Sequence, residues 1–179
     1  MKIILKNKTI LLLVISVIGT VFGFFFTNSY RYNLCFRDLS TLTFDASCAA
    51  GYEKLGDPLF YGFFALSIIF FILLFLPHTF KAWKKFALWF IPLATLLFIF
   101  YPEPGSGDYF SPYPEQVFQW VSAFYVGASL GIILTALISD IRERKGHAQL
   151  RWWWYIVPAV LLGYGAITVL PTVLQLLWF

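Results

Sequence analysis

Five long apolar runs, separated by short charged gaps, constrain this chain more than any other feature. The runs cover residues 9–26, 58–77, 86–101, 117–139 and 152–179. A bilayer's hydrocarbon core is about 30 Å thick, and crossing it takes about 20 apolar residues at roughly 1.5 Å of helical rise each. The third run, at 16 residues, is short. It is expected to borrow from 80–85, where lysine stems run along apolar surface and keep their ammonium groups in water. The fifth, at 28 residues, would reach about 42 Å if straight and helical. It must tilt, kink at Pro158 or Pro171, or leave its last turn in the interface.

Lipid offers no partner for free backbone groups, so a spanning segment is a helix or part of a closed barrel. Barrel strands alternate apolar and polar residues, whereas these runs are apolar on every face. Charged residues make up 12% of the chain, about half of what an average soluble domain carries. With the long apolar runs, that excludes a disordered chain and argues against a soluble globular domain. The expected fold is all-α: one domain, a compact bundle of five membrane helices. Segments 27–57 and 102–116 are expected as outer loops. No internal repeat or low-complexity tract is visible.

The basic residues set the orientation. Of the 13 lysines and arginines, Lys2, Lys6, Lys8, Lys81, Lys84, Lys85, Arg142, Arg144, Lys145 and Arg151 fall on one side. Only Arg31, Arg37 and Lys54 fall on the other. The positive-inside rule then puts the N-terminus in the cytoplasm and the C-terminus, after an odd number of spans, at the outer face. The expected location is a bacterial inner membrane. The pI near 9.1 is explained by this asymmetry and is no sign of nucleic-acid binding. Bulky residues follow the first run and no small-x-small site appears, so an uncleaved first helix is expected rather than a secretory signal. The polar residues before Cys48 argue against a lipoprotein cysteine.

Seven of the nine acidic residues lie on the outer side: Asp38, Asp45, Glu53, Asp57, Glu103, Asp108 and Glu115. Paired carboxylates can do acid–base work, but no spacing here selects a pair, and a solvated acidic rim is the simpler reading. The spans contain no Lys, Arg, Asp, Glu or His. Proton relays and many ion sites need such residues, so an ion-coupled transporter is disfavoured. His78 and His147 sit at cytoplasmic edges with no metal-ligand spacing. No catalytic residue, metal site or cofactor is assigned.

Cys35 and Cys48 share the first outer loop. In an oxidising compartment they are expected to pair as a structural bridge. A redox role would call for a C-x-x-C pair and a relay partner, and neither is present. Aromatic residues are 21% of the chain. Trp83, Trp89, Trp120, the run Trp152-Trp153-Trp154-Tyr155 and the pair Trp178-Phe179 read as interfacial anchors.

The best-organised pattern is a stripe in the fourth run: Ala123, Gly127, Gly131, Thr135 and Ser139, one every four residues. Gly19 and Gly23 form a second small pair, extended by Thr27. Small residues let helix backbones approach closely in lipid. The expectation is that the first and fourth helices pack through these positions, or that a partner protein or second copy docks there. The functional expectation is a non-catalytic membrane protein acting through protein contacts in the bilayer, as an accessory subunit or an immunity-type protein. The alternatives are an outer-face enzyme on lipid-linked or thiol substrates, and a transporter of a neutral solute.

Overall fold

The computed structural model describes residues 2–29, 31–32, 34–38, 43–101, 113–144 and 153–178. Its elements, in order, are α1 (Lys2–Thr27), β1 (Phe36–Asp38), β2 (Thr43–Phe44), α2 (Ala46–Phe75), a 3-10 turn (Pro77–Thr79), α3 (Phe80–Phe100), α4 (Pro114–Arg144) and α5 (Trp153–Trp178). The fold is helical, with one small antiparallel ribbon between α1 and α2 that pairs Phe36 with Phe44. Four helices are long and apolar enough to cross a membrane, over Asn7–Thr27, Cys48–Phe75, Pro77–Phe100 and Pro114–Glu143. In α5 the apolar stretch among the described residues is Trp154–Ile167. This composition fits a helical membrane bundle.

The first loop is shorter than the 27–57 expected from sequence. Helix begins at Ala46, and Pro58 lies inside α2 rather than at its first turn. The cause is local. The Asp45 carboxylate accepts the Cys48 backbone N–H at 3.1 Å, which is N-cap geometry. The Asp45 N–H donates to the Cys35 carbonyl at 3.0 Å, anchoring the cap to the loop. These bonds and the Cys35–Cys48 bridge hold a helical segment ahead of the proline. Segment 102–112 lies outside the described residues, and with it Glu103 and Asp108. So do Lys145, His147, Arg151, Trp152 and Phe179, and the side chains of Lys2, Lys6, Arg37, Asp38, Arg144, Trp153 and Trp178.

The helices sort into two close antiparallel pairs and one loosely held member. α1 runs along α2 and α5 runs along α4. α2 and α3 each lean on α4, and among the described residues α3 makes no extended contact with α2 or α5. α4 is the central helix, and most of its apolar window is buried. The main core lies where α2, α3 and α4 converge near the 3-10 turn. It contains Ile69, Phe70 and Leu73 from α2, Trp83 and Ala87 from α3, and Tyr125, Val126 and Ile133 from α4.

Trp83 corrects the interfacial-belt reading. Only 4% of it is exposed, and its ring meets Phe70 edge-on at 5.3 Å and Phe80 at 5.5 Å. The 3-10 turn redirects the chain so that the first turn of α3 packs inward, carrying Trp83 under the end of α2. Trp89 is 84% exposed, and Trp120 and Trp154 are exposed as well, as belt residues would be.

Candidate functional site

The small-residue positions form helix seams, but the partners differ from those expected. A Cβ on Gly127 would collide with the Leu162 carbonyl on α5. One on Gly131 would stand 2.6 Å from the Pro158 carbonyl oxygen and the Ala159 nitrogen. The stripe is therefore filled by α5, not by α1. Ala123, Thr135 and Ser139 on the same stripe are buried, and the Thr135 hydroxyl donates to the Gly131 carbonyl at 2.8 Å. Gly163 on α5 completes the seam from the other side, beneath the Phe124 ring. Gly19 and Gly23 face α2 instead of α4. Gly19 lies under the Phe63 ring, and Gly23 lies against the backbone of Phe60. The physical reason is connectivity: each glycine-bearing helix packs against the sequence neighbour that returns beside it.

Polar side chains reinforce the α1–α2 seam. Ser67 donates to the Ser16 hydroxyl at 3.1 Å and lies 3.4 Å from the Thr20 hydroxyl. At the loop end, the Thr27 hydroxyl donates to Asp57 at 2.9 Å. Beside it, Gln119 donates to the Tyr61 hydroxyl at 2.7 Å and to Glu115 at 3.1 Å, and Tyr61 donates to Glu115 at 3.1 Å. Asp57 and Glu115 are thus used as clasps, one joining α1 to α2 and the other α2 to α4. Asp45 serves as a helix cap. Cys35 and Cys48 are disulfide-bonded, with Cα atoms 5.6 Å apart. Among the described residues no three of His, Cys, Asp and Glu gather as a metal-binding group.

The candidate site lies where packing is loosest. Because α3 stands away from α2, a cleft of about 620 Å³ opens between them, with α4 as its floor. Leu55, Pro58, Leu59, Gly62 and Phe63 form one wall; Phe90, Ile91, Ala94, Phe98 and Ile99 form the other. Val121, Ser122 and Tyr125 line the floor, and Gly51 and Lys54 lie at the loop end. Its size falls within the range of small-molecule sites, and such sites pair apolar walls with a few placed polar groups. Here the placed group is Ser122. Its side chain is about nine-tenths buried and its Oγ has no hydrogen-bond partner. A buried, unpaired hydroxyl costs about 1–3 kcal/mol, so its presence in an otherwise apolar wall calls for an explanation. Thr95 does not share this property, since its hydroxyl donates to the Ile91 carbonyl at 2.9 Å. The Tyr125 hydroxyl lies deeper, in the core, with the Trp83 and Ser129 side chains beside it.

Comparison with protein-family models, curated proteins and solved structures finds no match to this chain. The cleft residues and Gly56, whose missing side chain admits the backbone of Phe26 and Thr27, were not picked out from the sequence. Gly56 lies on α2 opposite the Gly19-Gly23-Thr27 row, and a search for small residues at matching heights on neighbouring runs would have found it. Nothing in the sequence marks Ser122, because a lone serine in an apolar helix usually bonds its own backbone.

Proposed function

We propose that this chain is a five-span protein of a bacterial inner membrane that acts by binding rather than by catalysis. The N-terminus is cytoplasmic, and the ligand is an elongated apolar molecule with one hydrogen-bonding group, held in the α2–α3–α4 cleft. The observation that carries the reading is the unpaired Ser122 hydroxyl in a cleft whose other lining is almost wholly apolar. The walls take the chain of the ligand, and Ser122 gives or accepts one hydrogen bond that fixes its position. The bilayer itself delivers such a molecule, sideways between α2 and α3.

A partner-docking role on the α4 stripe loses its basis, since α5 occupies that face. An accessory-subunit or immunity-type role would have to use another surface.

Native mass spectrometry of the full chain, extracted in mild detergent, tests the reading. The wild type is expected to retain a small apolar molecule. Gly62→Leu projects a side chain into the cleft, where a Cβ alone has only Phe98 nearby, at 3.9 Å. Together with Ala94→Phe it should remove that mass while the protein stays folded. Retention of the same molecule by the double variant would overturn the assignment. The orientation is tested with a periplasm-dependent reporter, which should be active after Phe179 and silent after Lys85.

A further inference from the structure

On its other side, α3 also stands apart from α5. A second cleft of about 830 Å³ lies there, floored by Phe124, Ala128 and Ile132 of α4 and bounded on α5 by Tyr155, Ile156, Ala159 and Val160. This cleft opens at the opposite end of the bundle from Lys54. Its α3 wall carries Lys81, Lys85 and Trp89, spaced one turn apart along one helical row. Both lysines are exposed, and among the described lining residues there is no carboxylate to neutralise them. The row thus reads, from the helix end inward, as two cations, then an exposed indole, then an apolar trough.

We infer that this cleft is a binding site for one acidic phospholipid, its phosphate held between Lys81 and Lys85 and an acyl chain laid in the trough between α3 and α5. The charge order matches the order of parts in the ligand. An ammonium is a compact point charge that suits a phosphate oxygen. An exposed tryptophan fits the headgroup–acyl boundary, where its ring is half wet. Basic pockets between membrane helices on the cytoplasmic side are a known kind of headgroup site, and the positive-inside orientation puts these lysines there. A general attraction of a basic surface for anionic lipid would not need the trough. Lys84 separates the two ideas, because it is equally exposed but does not line the cleft. The site is distinct from the α2–α3–α4 cleft and stands or falls apart from it.

The test is native mass spectrometry of the full chain titrated with phosphatidylglycerol, with phosphatidylcholine of the same acyl chains, and with glycerol phosphate, which lacks chains. One phosphatidylglycerol is expected to bind in preference to phosphatidylcholine. Losing a juxtamembrane lysine weakens such binding roughly fivefold. Lys81→Ala with Lys85→Ala should therefore reduce the preference about 25-fold. Lys84→Ala should leave it within about twofold, below the effect of a single contacting lysine. Val160→Trp, at an exposed position on the trough wall, should weaken both lipids without changing the fold. Glycerol phosphate should bind far more weakly than the lipid. Equal binding of the two lipids would overturn the inference. So would an unchanged preference in the double variant, an effect of Lys84→Ala equal to it, or glycerol phosphate binding as tightly as the lipid.

Discussion

The α4–α5 hairpin and helix α3 are built from similarly apolar sequence, yet they pack in opposite ways. Along α4, small residues at every fourth position let the α5 backbone come so close that a single added Cβ at Gly127 or Gly131 would meet main-chain atoms. The α1–α2 hairpin repeats the device with Gly23 and Gly56. α3 has no glycine, and its faces toward α2 and α5 carry Phe90, Phe98, Phe86 and Trp89. Large side chains hold neighbouring helices at a distance, and a distance between helices in lipid is a cleft. The difference teaches that glycine placement, rather than overall hydrophobicity, decides which seams close and which stay open.

The strongest way to break this comparison is to fill the closed seam. Gly127→Leu with Gly131→Leu has no space to enter, because the facing atoms are α5 backbone and cannot rotate away. Overpacking usually costs about 1–3 kcal/mol per site, so the pair is expected to abolish the folded state in detergent, as read by thermal unfolding or gel filtration. Gly51→Ala, where an added Cβ meets nothing within 4 Å, is the matching control and should be neutral.

Next in size is the bridge at the loop end of the α1–α2 hairpin. Cys35 and Cys48 are 13 residues apart, and a loop of that length is worth about 3 kcal/mol on closure entropy alone. Cys48→Ser should lower the unfolding midpoint, and reductant should do the same to the wild type but not to the variant. A smaller effect is expected for Asp45→Ala. It removes the cap on the Cys48 N–H and should cost about 1 kcal/mol, measurable in the same unfolding assay. The smallest belongs to the outward face of α3. Leu93 and Leu96 are 67% and 53% exposed, and Leu93→Ala should change stability by less than about 0.5 kcal/mol.

Much of the scaffold was legible in the sequence because lipid imposes simple rules. Apolar runs marked the helices, and the borrowed segment 80–85 was correctly folded into α3. The two cysteines were paired from their shared loop. What escaped were choices that depend on neighbours. Pro58 reads as the start of α2 because proline favours a first turn, while the cap that wins lies thirteen residues earlier at Asp45. The stripe was legible as a seam, but its partner was not, since small residues specify close approach and not which helix approaches. The type and position of Trp83 point to the interface; the 3-10 turn buries it instead. The clefts were invisible because each is made of ordinary residues separated widely in sequence.

The central claim is that bilayer lipid reaches the flanks of α3 but not the α4–α5 seam. A phospholipid with a photoactivatable acyl chain, cross-linked to the full protein in liposomes and mapped by mass spectrometry, tests it without altering a residue. Adducts should appear on Leu59, Ala94 and Phe98 within the α2–α3 cleft and on Ile156 and Val160 beside α5. The buried stripe residues Ala123 and Thr135 should carry none. Adducts confined to outward positions such as Leu93 and Leu96, with the cleft walls unlabelled, would contradict it.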